Sequence, residues 1–337
     1  MVISYKNDAP IEEVESLIET LKNYCSNVQV VKGEEISLIC LVGETKHIDE
    51  NMINVYPWIN SIARVSTPYK LVSREFKHED TIINVKGVAI GGEKLTIIAG
   101  PCAVESREQI LSICSSLKLA GFDCLRGGAF KMRTSPYSFQ GLGYEALKYL
   151  KEASEEYLVP SVCEIVSVND IEEYVSKCDI IQVGARNMQN FDLLKALGKV
   201  NKPILLKRGM AASIEELLMA AEYIVSNGNP NVILCERGIK TFEKSTRNTL
   251  DLSAIPVLKK LTHLPVIVDP SHATGKKEYV LPMSLASIAA GADGLLLEVH
   301  NNPLTAKSDA SQALTIDDYI ELKEKLALVA KAVGKKI

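Results

Sequence analysis

Eight short apolar runs, each ending in polar or charged residues, recur between Leu95 and Val299 of this 337-residue chain. Helix-like stretches separate the runs, and one more follows the last of them. Strands of a parallel sheet read as apolar runs because both faces of the sheet are covered. The alternation therefore predicts an α/β fold of the (β/α)8 TIM-barrel type, with the chemistry at the strand ends. In chain order the runs are LTIIAGPC (95–102), CLRGGAFK (124–131), PSVCE (160–164), IIQVGAR (180–186), PILLKR (203–208), NVILCER (231–237), PVIVDPSH (265–272) and GLLLEVH (294–300).

Helix boundaries in this region agree with the predicted alternation of strands and helices. Ser106 with Gln109, and Ser213 with Glu216, resemble capping boxes at helix starts. Gly121 stands where the first of these helices should end.

A different pattern precedes the predicted barrel. Residues 1–66 read as strand, helix, two strands, short helix and strand, which is the βαββαβ order of a small ferredoxin-like domain. Residues 67–94 are predicted to be a linker ending in a β-hairpin (IINVKGVAI) that could close the bottom of the barrel. Residues 95–337 would then form the barrel. Two domains also suit the length, because a barrel alone needs roughly 250 residues.

Composition excludes several classes of protein. A net charge of −4 argues against general nucleic-acid binding. No apolar segment approaches the length of a membrane span, and the first residues do not resemble a signal peptide, so a cytoplasmic location is expected. The 8 cysteines are scattered without a CxxC pair, which predicts reduced thiols and no structural zinc.

Four potential metal ligands follow strands that are neighbours in a closed barrel. Cys102 follows the first strand, His272 follows the seventh, Glu298 ends the eighth, and Asp309 lies in the loop beyond. This mixed sulfur, nitrogen and oxygen set suits divalent Mn, Fe, Co or Zn better than Mg. Alone, each residue could be ordinary packing, but their joint placement favours a metal site.

Lys and Arg are unusually frequent at the other strand ends. A cation buried there is costly unless it pairs with an anion. Glu164, Glu236 and Asp269 could neutralise some of them in an internal ion network, and the surplus predicts bound phosphate and carboxylate groups. The sequence Arg133-Thr134-Ser135 suggests a second phosphate cradle. The strand-end cations are Arg126, Lys131, Arg133, Arg186, Lys207, Arg208 and Arg237.

Seven segments together resemble one enzyme family, 3-deoxy-D-arabino-heptulosonate 7-phosphate (DAHP) synthase. The resemblance covers nearly the whole chain and is closer to the type I-beta branch, in which a ferredoxin-like domain precedes the barrel. The segments are AGPCAVES (99–106), LRGGAFKMRTSPYSFQGLG (125–143), QVGARNMQNF (182–191), LLKRG (205–209), LCERGIKTFEKSTRNTLD (234–251), VDPSHATG (268–275) and LEVH (297–300).

The resemblance implies a condensation of phosphoenolpyruvate with erythrose 4-phosphate and water, the first step of the shikimate pathway. By the same resemblance Cys102, His272, Glu298 and Asp309 would bind one divalent metal ion, Mn²⁺ or alternatively Fe²⁺, Co²⁺, Zn²⁺ or Cd²⁺. Phosphoenolpyruvate would contact Arg126, Lys131, Arg186, Lys207 and Arg237, and the aldose phosphate would contact Arg133, Thr134 and Ser135. A homotetramer is also implied, with tyrosine or phenylalanine as an inhibitor bound by the N-terminal domain.

Two positions depart from the family pattern. Met132 replaces a usual proline, and Ala310 replaces a common glycine beside Asp309, which makes Asp309 the least typical of the ligands. Lys131 is the candidate proton donor, with a pKa expected to fall among other cations, and Glu164 is a candidate base or water-orienting group.

Three other interpretations remain open at this point. The sister enzymes that use arabinose 5-phosphate share the barrel, but resemble Lys-Ala-Asn-Arg-Ser where this chain has Lys131-Met132-Arg133-Thr134-Ser135. A Schiff-base aldolase could use Lys207, which would need a desolvated lysine of lowered pKa. A non-enzymatic, effector-binding regulator would retain the barrel only as a relict.

Overall fold

A computed structural model describes residues 1–33, 36–45, 47–64, 67–133 and 135–337. The chain divides into two units, Met1–Phe76 and Lys77–Ile337. Among the helices of the described residues, none combines the length and the apolar character that crossing a membrane requires. The eight cysteines, all of them within these residues, are free thiols, as expected from their spacing.

The first unit has the predicted ferredoxin-like order. Its antiparallel sheet runs β2-β3-β1-β4, and one face packs on the helices through Ile3, Leu17, Ile39 and Trp58. Residues 65 and 66, at the end of the predicted domain, lie outside the described residues. The elements are β1 (Val2–Lys6), α1 (Ile11–Lys22), β2 (Asn27–Val31), β3 (Ile36–Val42), α2 (Asn51–Asn54) and β4 (Ile59–Ala63).

A short antiparallel hairpin opens the second unit. It consists of β5 (Ile83–Val85) and β6 (Val88–Ile90). Ile83 and Ile90 belong to the same buried cluster as inward-facing barrel residues such as Ile98 and Ile180. The hairpin therefore adds apolar side chains to the interior of the barrel.

Eight parallel strands close into a barrel in the order β10-β11-β12-β13-β14-β7-β8-β9, which confirms the predicted fold. Every residue of these strands is buried except Glu164, which is partly exposed. This burial explains why the strands read as apolar runs. The strands are β7 (Thr96–Gly100), β8 (Cys124–Arg126), β9 (Ser161–Ile165), β10 (Ile180–Val183), β11 (Ile204–Lys207), β12 (Val232–Glu236), β13 (Val266–Val268) and β14 (Gly294–Glu298).

The barrel helices begin where their capping residues predict. Ser213 and Glu216 form a full capping box, whereas Ser106 caps its helix through Gln109 N–H while the Gln109 side chain accepts from Glu105 N–H instead. Gly121 ends that helix with φ +83°, a conformation that favours glycine. The helices are α3 (Arg107–Ala120), α4 (Tyr144–Glu156), α5 (Ile171–Lys177), α6 (Phe191–Leu197), α7 (Ile214–Ser226), α8 (Ala254–Leu261), α9 (Pro270–Thr274), α10 (Lys277–Ala289) and α11 (Ile316–Ala332).

Candidate active site

Four potential metal ligands meet at the C-terminal end of the barrel. One ligand atom from each of Cys102, His272, Glu298 and Asp309 lies within 4.8 Å of all the others. Sγ of Cys102 is 3.1 Å from Oδ2 of Asp309, and Nε2 of His272 is 3.0 Å from Oε1 of Glu298. The structure therefore brings together all four residues that the sequence analysis selected.

Strand order explains this meeting of residues that are far apart in sequence. β13, β14 and β7 are adjacent in the barrel, so their C-terminal ends lie side by side. Asp309 reaches the cluster from the following loop with φ +54°, a left-handed conformation that is uncommon for a residue with a side chain. Its Oδ1 accepts a hydrogen bond from Nη2 of Arg247 at 3.1 Å.

The pKa values of the residues in this ligand cluster are strongly shifted by their neighbours. Burial by itself lowers the pKa of His272, but the carboxylates of Asp269 and Glu298 outweigh burial and raise it to about 10. Burial raises the pKa of Glu298, yet His272 and Arg126 hold it far below its usual range. The carboxyl groups of Asp269 and Glu298 are therefore ionised, and they are paired with a protonated His272.

This donor set fits a divalent metal ion. A thiol, an imidazole and two carboxylates supply the mixed ligands that borderline transition metals prefer. Nδ1 of His272 donates to Oδ2 of Asp269 at 2.6 Å, which leaves Nε2 facing the other ligands. A carboxylate behind the histidine is the usual outer partner of a metal-binding imidazole.

A cavity of about 500 Å³ opens beside the cluster. Its walls combine cations from several strand ends with His272 and Asp309 of the four-residue ligand cluster. An anionic ligand in the cavity would therefore lie next to a metal ion held by that cluster. Among the residues selected from the sequence, those that line it are Lys131, Arg133, Glu164, Arg186, Lys207, Arg237, His272 and Asp309.

Arg237 is the most informative of these cations. Its Nη2 donates to the backbone carbonyl of His272 at 3.3 Å. Its Nη1 is buried and has no hydrogen-bond partner among the described residues. Because an unpartnered buried charge is costly, this guanidinium is well suited to an anion in the cavity.

Two further cations contact residues of the ligand cluster directly. Arg126 is buried at the end of β8 and donates from Nη1 to Oε1 of Glu298 at 3.2 Å. It does not line the cavity. Lys131 does line the cavity, and its Nζ donates to the carbonyl oxygen of Cys102 at 3.3 Å.

The expected lowering of the pKa of Lys131 is wrong for this site. Burial does lower the pKa of Lys131, but nearby Cys102 and Glu164 outweigh it, and the net shift is upward. The cations around Lys131 are visible in the sequence, whereas the proximity of Cys102 and Glu164 to its ammonium group arises only in the folded barrel. Lys131 is therefore a protonated group at neutral pH.

Glu164 is held at the cavity wall by two neighbours. Its Oε2 accepts from Nε2 of Gln182 at 2.7 Å. On the other side lies Gly184, where a Cβ atom would come within 2.1 Å of Oε1. The position of this carboxylate thus depends on β10, the strand beside its own.

Besides Arg126, two described residues selected from the sequence for anion binding, Ser135 and Arg208, do not line the cavity. Thr134 lies outside the described residues, and Ser135 is exposed. Arg208 is neutralised internally, because its Nη1 lies 2.8 Å from Glu236 and 3.0 Å from Asp251. Arg208 therefore belongs to an internal ion network, the alternative to anion binding that the sequence left open for these cations.

Sequence reasoning missed several residues of the site. Lys240, Arg247 and Asn248 line the cavity from the loop after β12. All three lie in the segment LCERGIKTFEKSTRNTLD, whose polar character directly after a strand was the available signal. Gln312, which donates from Nε2 to Oε2 of Glu298 at 2.5 Å, carried no such signal.

Two family models match the chain. One, described as the DAHP synthetase I family, matches residues 77–334, and the other, described as the DAHP synthase ferredoxin-like domain, matches residues 1–67. A more distant similarity is to a 2-dehydro-3-deoxyphosphooctonate aldolase of Geotalea uraniireducens, which is 30% identical over 272 residues, 73% of this chain and 97% of that protein.

Similarity to proteins of Thermotoga maritima extends over the full length. A phospho-2-dehydro-3-deoxyheptonate aldolase of that organism is 45% identical over 337 residues, 100% of both chains. A crystal structure of its DAHP synthase superposes with a TM-score of 0.80 over 99% of this chain and 98% of that one. A truncated form superposes with a TM-score of 0.75, 48% identity and coverage of 80% and 98%. This chain therefore belongs to the DAHP synthetase I family and carries its ferredoxin-like N-terminal domain.

Proposed function

We propose that this protein condenses phosphoenolpyruvate with erythrose 4-phosphate and water, giving DAHP and phosphate as the first step of the shikimate pathway. Family membership supports the reaction type. The single observation that carries the proposal is the buried Nη1 of Arg237, unpartnered among the described residues, at the wall of a cavity rich in cations. Both substrates bear phosphate groups, which such a wall would bind.

The cavity residues divide between the two substrates. Arg186, Lys207 and Arg237 bind the phosphate and carboxylate of phosphoenolpyruvate together with Lys131. Arg126 is assigned to the same substrate by resemblance, although it contacts Glu298 and does not line the cavity. Arg133 binds the phosphate of the aldose, with Thr134 and Ser135 assigned to the same group by resemblance. Fixing two polyanions side by side supplies a large part of the catalysis.

Lys131 and Glu164 then carry out the proton transfers. As carbon 3 of phosphoenolpyruvate bonds to the aldehyde carbon, the aldehyde oxygen takes a proton from Lys131. Water adds to carbon 2 while Glu164 accepts a proton from that water. The resulting hemiketal expels phosphate by cleavage of the C–O bond, and its hydroxyl proton leaves with the phosphate. The proton on Glu164 balances the one lost by Lys131.

A divalent metal ion fits Cys102, His272, Glu298 and Asp309, and when bound it would polarise the aldehyde oxygen as a Lewis acid. We assign Mn²⁺ first, with Fe²⁺, Co²⁺, Zn²⁺ and Cd²⁺ as alternatives, because the donor set accommodates each of them.

A Schiff-base mechanism at Lys207 is disfavoured by its surroundings. Nζ of Lys207 lies 2.5 Å from Oδ2 of the buried Asp269, and a Schiff base would require that ion pair to break. Arabinose 5-phosphate is the more serious alternative substrate, because relatives about 30% identical carry the name of the eight-carbon enzyme.

The decisive assay is phosphate release from phosphoenolpyruvate with each aldose. The protein is assayed as purified, after chelation, and after Mn²⁺ is restored. We expect turnover with erythrose 4-phosphate that disappears on chelation and returns with Mn²⁺. Turnover with arabinose 5-phosphate alone would move the protein to the sister activity, and chelator-resistant turnover would contradict the metal requirement.

The N-terminal unit is proposed to bind tyrosine or phenylalanine and to inhibit turnover, within a homotetramer. Its match to the ferredoxin-like domain of DAHP synthases supports this assignment. Deleting residues 1–66 should abolish inhibition and leave turnover, and inhibition that persists would contradict the proposal. Light scattering measures the assembly directly.

A further inference from the structure

Asp269 is a buried carboxylate shared by two functional groups. It directly follows β13 and caps α9, where its Oδ1 accepts the backbone N–H of His272 at 2.8 Å. Its Oδ2 accepts from Nδ1 of His272 at 2.6 Å and from Nζ of Lys207 at 2.5 Å. One oxygen atom thus joins a cation of the cavity to a member of the metal cluster.

The connection continues through the cluster. Nε2 of His272 lies 3.0 Å from Oε1 of Glu298, and the same oxygen accepts from Nη1 of Arg126 at 3.2 Å. The side chains of Lys207, Asp269, Glu298 and Arg126 are each at most 5% exposed. Charges in such an environment interact far more strongly than they would in water.

We infer that Asp269 is a positioning residue that couples anion binding in the cavity to metal binding at the cluster. The identity of the anion rests on the proposed function, but the coupling does not. An anion that engages Lys207 draws its ammonium charge away from Asp269, whose carboxylate then interacts more strongly with His272. An imidazole so oriented and polarised is a better ligand. Binding of a metal ion favours the anion equally, because coupling between two binding sites is reciprocal.

The test is a binding cycle that does not depend on turnover. The dissociation constant of Mn²⁺ is measured by calorimetry without anion and with saturating phosphoenolpyruvate, in the full-length protein and in Asp269→Asn. We expect the anion to tighten Mn²⁺ binding about tenfold in the unaltered protein. Asp269→Asn should weaken Mn²⁺ binding by about 10- to 100-fold and reduce the anion effect to the direct attraction between anion and metal.

Asp293→Asn is the matched control. Asp293 is equally buried and also pairs with lysines, Lys259 and Lys335. It immediately precedes β14, at the end of the barrel opposite the site, so its loss should leave the coupling unchanged. An unaltered anion effect in Asp269→Asn would overturn the inference.

The unaltered protein alone also tests the idea, should Asp269→Asn fail to fold. An Mn²⁺ dissociation constant that does not change with anion would overturn the inference. Inorganic phosphate is titrated in parallel. If phosphate couples to Mn²⁺ but phosphoenolpyruvate does not bind, the proposed function fails and the coupling stands. If neither anion binds, the coupling is overturned as well.

Discussion

A Cβ atom at Gly184 would lie 2.1 Å from Oε1 of Glu164, well inside van der Waals contact. The absence of a side chain at Gly184 is therefore what leaves room for this carboxylate at the cavity wall. We predict that Gly184→Ala displaces Glu164 and lowers kcat by about 100-fold, the scale expected for a misplaced group. The affinity for Mn²⁺ should not change, because Glu164 is not among the four ligands.

A double variant shows whether Gly184→Ala acts through Glu164. If it does, adding Gly184→Ala to Glu164→Ala should cost no further activity, because the carboxylate is already absent. Losses of activity that multiply in the double variant would contradict this explanation.

Cys102 and Cys114 offer a comparison of two buried thiols with different roles. Cys102 belongs to the ligand cluster, whereas burial within α3 raises the pKa of Cys114 to about 12. Cys102→Ala should weaken Mn²⁺ binding by more than the roughly 10- to 100-fold that loss of an outer partner costs. Cys114→Ala should retain metal affinity, and equal losses in calorimetry would exclude Cys102 as a ligand.

Arg247 is expected to hold Asp309 in place for metal binding. Its Nη2 lies 3.1 Å from Oδ1 of Asp309, and the arginine side chain is 39% exposed. Because partly exposed ion pairs are worth little, Arg247→Ala should weaken Mn²⁺ binding only about two- to fivefold. Lys240→Ala, in the same loop, should leave it unchanged. An equal effect of the two substitutions would indicate a general loss of positive charge instead.

The dependence of the free energy of unfolding on acidic pH should involve Asp179, which lies outside the candidate active site. Burial raises the pKa of Asp179, but Lys86 and hydrogen bonds from Ser161 outweigh it, and the net shift is downward. A carboxyl whose folded pKa is lowered stabilises the protein above its ordinary pKa, about 3.9, and loses this effect as the pH falls through the folded value. Asp179→Asn should therefore cost about 1–3 kcal/mol near pH 7 and progressively less below pH 4.

Urea unfolding at a series of pH values measures this difference in the free energy of unfolding. Asp192→Asn serves as the control, because Asp192 is 91% exposed and only loosely paired with Lys195. That variant should unfold like the unaltered protein. A difference between Asp179→Asn and the unaltered protein that stays constant with pH would contradict the assignment.

Much of the fold was predictable because local patterns encode it. Buried parallel strands require continuous apolar runs, so eight such runs specified the barrel and its strand order. Adjacent strand ends then placed Cys102, His272 and Glu298 together, since neighbours in a closed barrel include the first and last strands. The βαββαβ order of the first unit followed from the same kind of evidence.

The sequence by itself determined the fold and which strand ends carry the candidate site residues, whereas only the tertiary structure decided how their charges pair. Lys207 and Arg208 are adjacent and look alike, yet Lys207 pairs with Asp269 at the cavity and Arg208 with Glu236 and Asp251 away from it. The upward shift of the pKa of Lys131 has the same origin. Electrostatic energy depends on distances between groups that are remote in the chain, and apolar periodicity contains no information about those distances.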